Sequence, residues 1–524
     1  MKSSIVSGKT YLGIEFGSTR IKAVLIDDAY AVLASGSHAW ENRFENGYWT
    51  YSEESILQGL RATFESLAED VKKTYGVPLT TVGAIGISGM MHGYLAFDEN
   101  GKLLTPFRTW RNTTTEQAAD ILTELFGFNI PQRWSVAHLY QAMLNREEHV
   151  PRIARITTLA GYIHYLLTGR HEVGVGEASG IFPIENGNYN EKMLNALQEL
   201  TEAAGYRLNI RTLLPQVRGA GEKGACLTET GAALLDPTRT LEAGIPFCPP
   251  EGDAGTGMVA TNAVRPATGN ISAGTSVFSM LVLERPLTGL YREIDVVTTP
   301  DGSPVAMVHS NNGCSELDAW VRMFEEFSEL LGISVEKNEL YELLYRNAEN
   351  AAPDCNGVIS YNFLAGEPVA ELRRGHPMYY RSADGKLSLA NFFKSQLYAA
   401  VAPIKLGMDI LQRNETTRAE RFSAHGGLFK VEGVAQQILA DALNTPITVQ
   451  TTAGEGGAWG MALLAAYMQC KDGETLDDWL DQKVFANAQK RTLSPKNEGV
   501  VGFDRYMNGY RKGLSALKSI QEEV

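Results

Sequence analysis

At 524 residues the chain exceeds what one hydrophobic core usually organises, so two large domains are the default. With 44% hydrophobic and 21% charged residues its composition is that of an ordinary globular protein, which excludes a disordered chain. A formal charge of -14 excludes a protein whose main work is to neutralise nucleic acid or an anionic membrane surface, while leaving room for local basic spots.

The opening MKSSIVSGKTYLGIEFG lacks a long apolar core, and no later run approaches the roughly 20 apolar residues that span a bilayer. The expectation is a soluble, unexported, cytoplasmic protein. Cys226, Cys248, Cys314, Cys355 and Cys470 are scattered, with no CxxC and no neighbouring histidines, so reduced thiols and no structural zinc are expected.

The first strong pattern is TYLGIEFGSTRIKAVLID, where two β-rich runs, Tyr11 to Phe16 and Ile21 to Ile26, flank Gly17-Ser18-Thr19 and predict a hairpin. Apolar spacing at Ile56, Leu57, Leu60, Phe64, Leu67 and Val71 predicts a helix stopped by Gly76 and Pro78, and a strand follows at Val82 to Ser88. Further helices are predicted at Ser135 to Arg146 and Thr157 to Thr168. A second hairpin is predicted around Gly274-Thr275-Ser276, between Asn270 to Ala273 and Val277 to Leu283. Later helices are predicted at Ser315 to Leu331, Phe392 to Leu411, Val434 to Leu443, Gly457 to Met468 and Phe503 to Ile520. Strands alternating with helices, and two equivalent hairpins half a chain apart, predict an α/β protein of two duplicated lobes with a cleft between them. The boundary is expected near Asn262 to Pro266, giving lobes 1–262 and 263–524.

A small-residue hairpin tip lets backbone N–H groups approach phosphate oxygens that a bulkier tip would exclude. Alone it is a common tight turn; the second copy points to a ligand shared by both. Walker and Rossmann signatures are absent: there is no GxxxxGK[ST], and GEGGAWG, from Gly454 to Gly460, has Trp459 where GxGxxG would need a glycine. That glycine run reads equally as backbone laid against a ligand or as close helix packing.

The segments GIEFGSTRIKAVLID, GISGMMHGYLAFD, EGDAGTGMVATNA, SAGTSVFS, HGGLFKVEGVAQQILADAL and EGGAWGMALLAA resemble, in this order, those of FGGY carbohydrate kinases, and Met91-His92-Gly93 is most similar to xylulokinases. The resemblance implies a duplicated ribonuclease-H-like, actin-like fold with ATP held between lobes and the sugar bound mainly on the first. It implies that Asp253 is the catalytic base, taking a proton from the attacking sugar hydroxyl. Met91 and His92 become sugar contacts, joined by Trp110, Arg111 and Asn112 on a loop similar to the family's Trp-Asn-Asp region. Gly17, Ser18, Thr19, Gly274, Thr275, Ser276, Gly426 and Gly427 become ATP contacts. Arg20 and Lys22 either brace phosphate charge or form a solvated strand edge.

Two positions depart from the family. Glu15 stands where relatives have Asp; it is expected to hold Mg²⁺ through a bound water, since magnesium keeps several waters and takes one or two carboxylates. His425-Gly426-Gly427-Leu428-Phe429-Lys430 replaces the usual Gly-Gly-Gly-Ala of the adenine region. Glu177, near another family loop, receives no role. The expected activity is ATP- and Mg²⁺-dependent phosphorylation of a ketopentose at its terminal hydroxyl, D-xylulose first and L-ribulose or another sugar or polyol as the alternative. An actin-like ATPase switch and an inactive sugar-binding regulator are the rivals from other classes. The resemblance also implies a homodimer, with no interface legible in the sequence.

Overall fold

The computed structural model describes residues 1–450 and 456–522. These form two compact units, one of Met1–Val264, Val296–Val305 and Gly454–Ala488, the other of Arg265–Asp295, Ala306–Ala453 and Gln489–Val524. A single cut at 262/263 therefore differs from the observed division, because two later segments pack with the first unit.

The first unit is built on a five-stranded sheet. Strand β1 (Tyr11–Phe16) runs antiparallel to β2 (Arg20–Ile26), and β2 runs antiparallel to β3 (Val32–Ala39). On its other side β1 pairs in parallel with β4 (Ala84–Gly89), which pairs in parallel with the short β5 (Glu251–Gly252). Helix α1 (Glu53–Tyr75) starts where the Ser52 side chain accepts the Ser55 N–H, and ends at Gly76, whose φ of 68° suits a residue without Cβ. Its stripe Ile56, Leu60, Phe64, Leu67 and Val71 is buried against the sheet with Leu12, Ile14, Ile21 and Leu25. Helix α2 (Leu159–Thr168) begins two residues later than the sequence predicts. Thr157 ends a strand, and the Thr158 side chain caps the helix by accepting the Gly161 N–H.

The helix Gly456–Cys470 is buried on every side from Gly457 to Met468, and it lies across the first sheet. A Cβ at Gly13 of β1 would stand 2.1 Å from the Ala458 carbonyl oxygen, and one at Gly460 would stand 2.1 Å from that of Thr256. Gly13 and Gly460 thus serve close packing of helix on strand and helix on helix. Gly454 lies outside the described residues.

The second unit repeats the plan with its own core. Strand β6 (Thr268–Ala273) pairs antiparallel with β7 (Val277–Val282) and parallel with β8 (Arg421–His425). Beyond β8 come β9 (Ile447–Gln450), parallel, and β10 (Lys490–Leu493), antiparallel. An antiparallel hairpin with a parallel neighbour on its first strand thus occurs in both units. This is the α/β, actin-like architecture expected of duplicated ribonuclease-H-like lobes. Among the described residues no helix is long and apolar enough to cross a membrane.

Candidate functional site

In the first unit, β1, β4 and β5 run parallel and in register, Phe16 opposite Gly89 and Gly89 opposite Gly252, so their carboxyl ends open side by side. Ligands of open α/β sheets sit at such ends. The residues that follow each strand are Gly17-Ser18-Thr19, Met90-Met91-His92 and Asp253.

Asp253 opens a helix, α3 (Asp253–Ala260), instead of lying within a glycine turn. It keeps part of its surface open, and its Oδ1 accepts the Met91 N–H at 3.2 Å. Burial raises its pKa, and the Met91 and Ala254 N–H groups oppose the rise. One helical turn on, the buried Thr256 hydroxyl shares a 3.1 Å hydrogen bond with that of Ser88, tying α3 to β4.

Glu15, near the end of β1, is a neighbour of Asp253. Its pKa is pushed up to about 7, first by burial and then by the Asp253 charge; Lys22 and the N–H groups of Ala458 and Gly457 pull it back. A Cβ at Gly457 would stand 2.2 Å from Glu15 Oε1, so the glutamate reaches the start of the helix Gly456–Cys470. That contact gives a physical use for the methylene that distinguishes it from Asp.

Met91 and His92 are buried. His92 has φ 71°, places Nδ1 3.3 Å from the Gly180 carbonyl and stacks on Trp134 with ring centroids 6.1 Å apart. The loop bearing Trp110, Arg111 and Asn112 follows a stretch that bridges Tyr94 to Arg108, which puts it beside Gly93. The Arg111 guanidinium lies 4.0 Å from the Trp49 ring centroid. Asn112 is buried with its amide committed to the main chain: it accepts the Trp49 N–H at 2.9 Å and donates to the Trp49 and Thr109 carbonyls. It holds the loop, with both amide hydrogens and one acceptor site of its oxygen committed to the main chain.

The tip Gly17-Ser18-Thr19 is braced from behind, with Trp40 Nε1 donating to the Gly17 carbonyl at 2.7 Å and the Tyr51 hydroxyl to the Ser18 carbonyl at 2.5 Å. In the second unit Gly274-Thr275-Ser276 is tied by Gly313 N–H to the Thr275 carbonyl and Cys314 N–H to that of Gly274. Gly426, with φ 111°, presses on the same strand end: a Cβ there would stand 2.2 Å from the Ala273 oxygen. Gly427 borders open space. The second hairpin and the altered adenine segment are therefore neighbours within this unit.

Three acidic or hydroxyl side chains at the first site were given no role by the sequence: Glu251, Glu177 and Thr256. Glu251 is buried, accepts the Glu177 N–H at 2.8 Å and has its pKa pushed up to about 8 by burial. An acid two residues before Asp253, in a segment otherwise of proline, glycine and alanine, was the available signal. Among the described residues no group of three or more His, Cys, Asp or Glu is arranged to hold a metal by itself.

The chain is 22% identical over 523 residues to the xylulose kinase of Haemophilus influenzae, covering 97% of this chain and 100% of that protein. In fold it is similar to xylulose kinase from Rhodospirillum rubrum, with TM-score 0.78 and 17% identity over 98% of this chain and 99% of that one. It is equally similar to gluconate kinase from Lactobacillus acidophilus, with TM-score 0.79 and 16% identity over 97% and 98%. Sequence profiles of the FGGY family of carbohydrate kinases match residues 10–259 with the N-terminal domain and 269–469 with the C-terminal domain. With both domains matched in order, and an aspartate opening a helix at the strand ends of the first, the chain belongs to the FGGY family and is an ATP-dependent carbohydrate kinase.

Proposed function

We propose that this kinase transfers the γ-phosphoryl group of ATP to the terminal hydroxyl of a ketopentose in the cytoplasm, with D-xylulose as the first candidate and L-ribulose as the alternative. The observation that carries the proposal is the Met91 N–H bond to Asp253, which sets a carboxylate against the Met-His-Gly segment at one cluster of strand ends. Asp253 takes the proton of the attacking hydroxyl; burial raises its pKa, which suits a proton acceptor, and N–H donation from Met91 and Ala254 opposes that rise. Met91 packs on the carbon chain, His92 and the Trp110-Arg111 loop line the sugar, the Gly17-Ser18-Thr19 tip of the first unit is a phosphate contact, and in the second unit Gly274-Thr275-Ser276, Gly426 and Gly427 are the nucleotide contacts.

Magnesium fits the donor set through Glu15. Two neighbouring carboxyl groups, Glu15 and Asp253, with Lys22 as the cation acting on Glu15, form a charge pattern that a divalent ion relieves. The ion would neutralise phosphate charge, and Glu15 would hold it through water. The test is an ATP-consumption screen over D-xylulose, L-ribulose, D-ribulose, L-xylulose, glycerol and D-gluconate. A ketopentose as best substrate is expected; ATP hydrolysis indifferent to every sugar would favour a nucleotide switch and overturn the reading.

A further inference from the structure

Glu177 is fully buried, and neither carboxyl oxygen has a hydrogen-bond partner of ordinary geometry, although Thr158 is close by. An orphaned carboxyl group destabilises a fold, so its presence points to a partner from outside the chain. Its surroundings identify where that partner sits. A Cβ at Gly252 would stand 2.5 Å from Glu177 Oε2 and 3.0 Å from Met91 Cγ, so the carboxyl group, the Met91 stem and the backbone preceding Asp253 converge. Three residues along, a Cβ at Gly180 would stand 2.7 Å from His92 Nδ1 and 2.9 Å from Met91 Cε. The buried Tyr189 hydroxyl is also unpartnered and feels the Glu177 charge.

Glu251 fixes the geometry. It accepts the N–H groups of Gly176 at 3.4 Å and Glu177 at 2.8 Å, which anchors the main chain from which the Glu177 side chain projects. The charged groups acting on Glu177 are Glu251 and Asp253, both acidic. Together with burial they favour its protonated form, which donates one hydrogen bond and accepts another.

We propose that Glu177 contacts the substrate directly, pairing with a hydroxyl of an uncharged polyhydroxy chain, and that the acidic wall it forms with Glu251 and Asp253 excludes sugar acids. This rests on the first unit being the sugar site. A carboxylate at this position meets a cluster of acids with no cation among the charged groups acting on Glu177, whereas a hydroxyl can pair with its oxygens.

The test is steady-state kinetics of the wild type, Glu177→Leu and Glu177→Gln on the best neutral substrate and on D-gluconate, with melting temperatures for all three. Glu177→Leu should raise KM for the neutral substrate by roughly tenfold or more, as expected for a lost buried hydrogen bond. Its melting temperature should hold or rise, because the buried acid's desolvation is removed and the only contact given up is the poorly aligned one to Thr158. Glu177→Gln, which keeps a donor and an acceptor, should recover most of the loss. The wild type should use D-gluconate roughly 100-fold less efficiently than the neutral substrate. A KM for the Leu variant within about twofold of wild type, whatever its melting temperature, or a preference for D-gluconate, overturns the proposal. Should the best neutral substrate be something other than a ketopentose, the functional reading fails while the same Glu177 comparison still decides this one.

Discussion

Replacing Glu15 by Gln removes one of two neighbouring carboxyl groups and tests both the electrostatics and the metal assignment. The ordinary pKa of 4.5 is pushed up to about 7 in the folded chain. Between those values the folded state holds a proton that the unfolded state has lost. The group's contribution to stability is therefore greatest below pH 4.5 and declines as pH rises to about 7. A shift of that size corresponds to about 3 kcal/mol. Gln has no charge at any pH, so the stability of Glu15→Gln relative to wild type should climb by about 3 kcal/mol across the window. Any loss of the Gly457 and Ala458 N–H contacts adds a constant offset and leaves the slope intact. Tryptophan fluorescence during urea unfolding reports the right unit, since Trp320 is the only one of seven tryptophans in the second. A difference that stays flat within about 0.5 kcal/mol from pH 5 to 8 would refute the reasoning. The same variant should need more Mg²⁺ for half-maximal activity, and Glu15→Asp, one methylene short of the helix start, should fall between the two. An unchanged magnesium titration with Gln would make Glu15 a structural residue of the hairpin.

Asp253→Asn should lower turnover by roughly 10²-fold or more with ATP binding retained in calorimetry; near-normal turnover removes Asp253 as the base. His92→Ala should raise KM for the sugar while ATP affinity stays, and the reverse pattern would reverse the site assignment. Gly426→Ala, placed at φ 111° with its Cβ 2.2 Å from the Ala273 oxygen, should raise KM for ATP and leave KM for the sugar unchanged. A variant with normal ATP kinetics would separate that glycine from the nucleotide side.

The hairpin at Gly17 and its second copy at Gly274 were legible because each depends on local chemistry, largely apolar runs on either side of a small-residue turn. The end of α1 was legible for the same reason: Gly76 takes a left-handed conformation that other residues resist. The family segments likewise placed Asp253, Met91 and His92, which the fold brings to adjacent strand ends.

Other features depended on contacts between residues far apart in sequence. Asn112 looked like a sugar contact from its neighbours, yet 63 positions upstream the Trp49 backbone takes its amide. The glycine run after Gly454 allowed two readings until Gly13 and Thr256 were seen against the helix backbone. That packing also draws the helix into the first unit, which a linear division of the chain cannot express. Glu177 carried no role in sequence because its significance is the absence of a partner. Local sequence determines turns, caps and periodic faces, since these act over a few residues. Burial, the pairing of charges and the satisfaction of polar groups are set by which distant segments meet, and only the tertiary structure decides that.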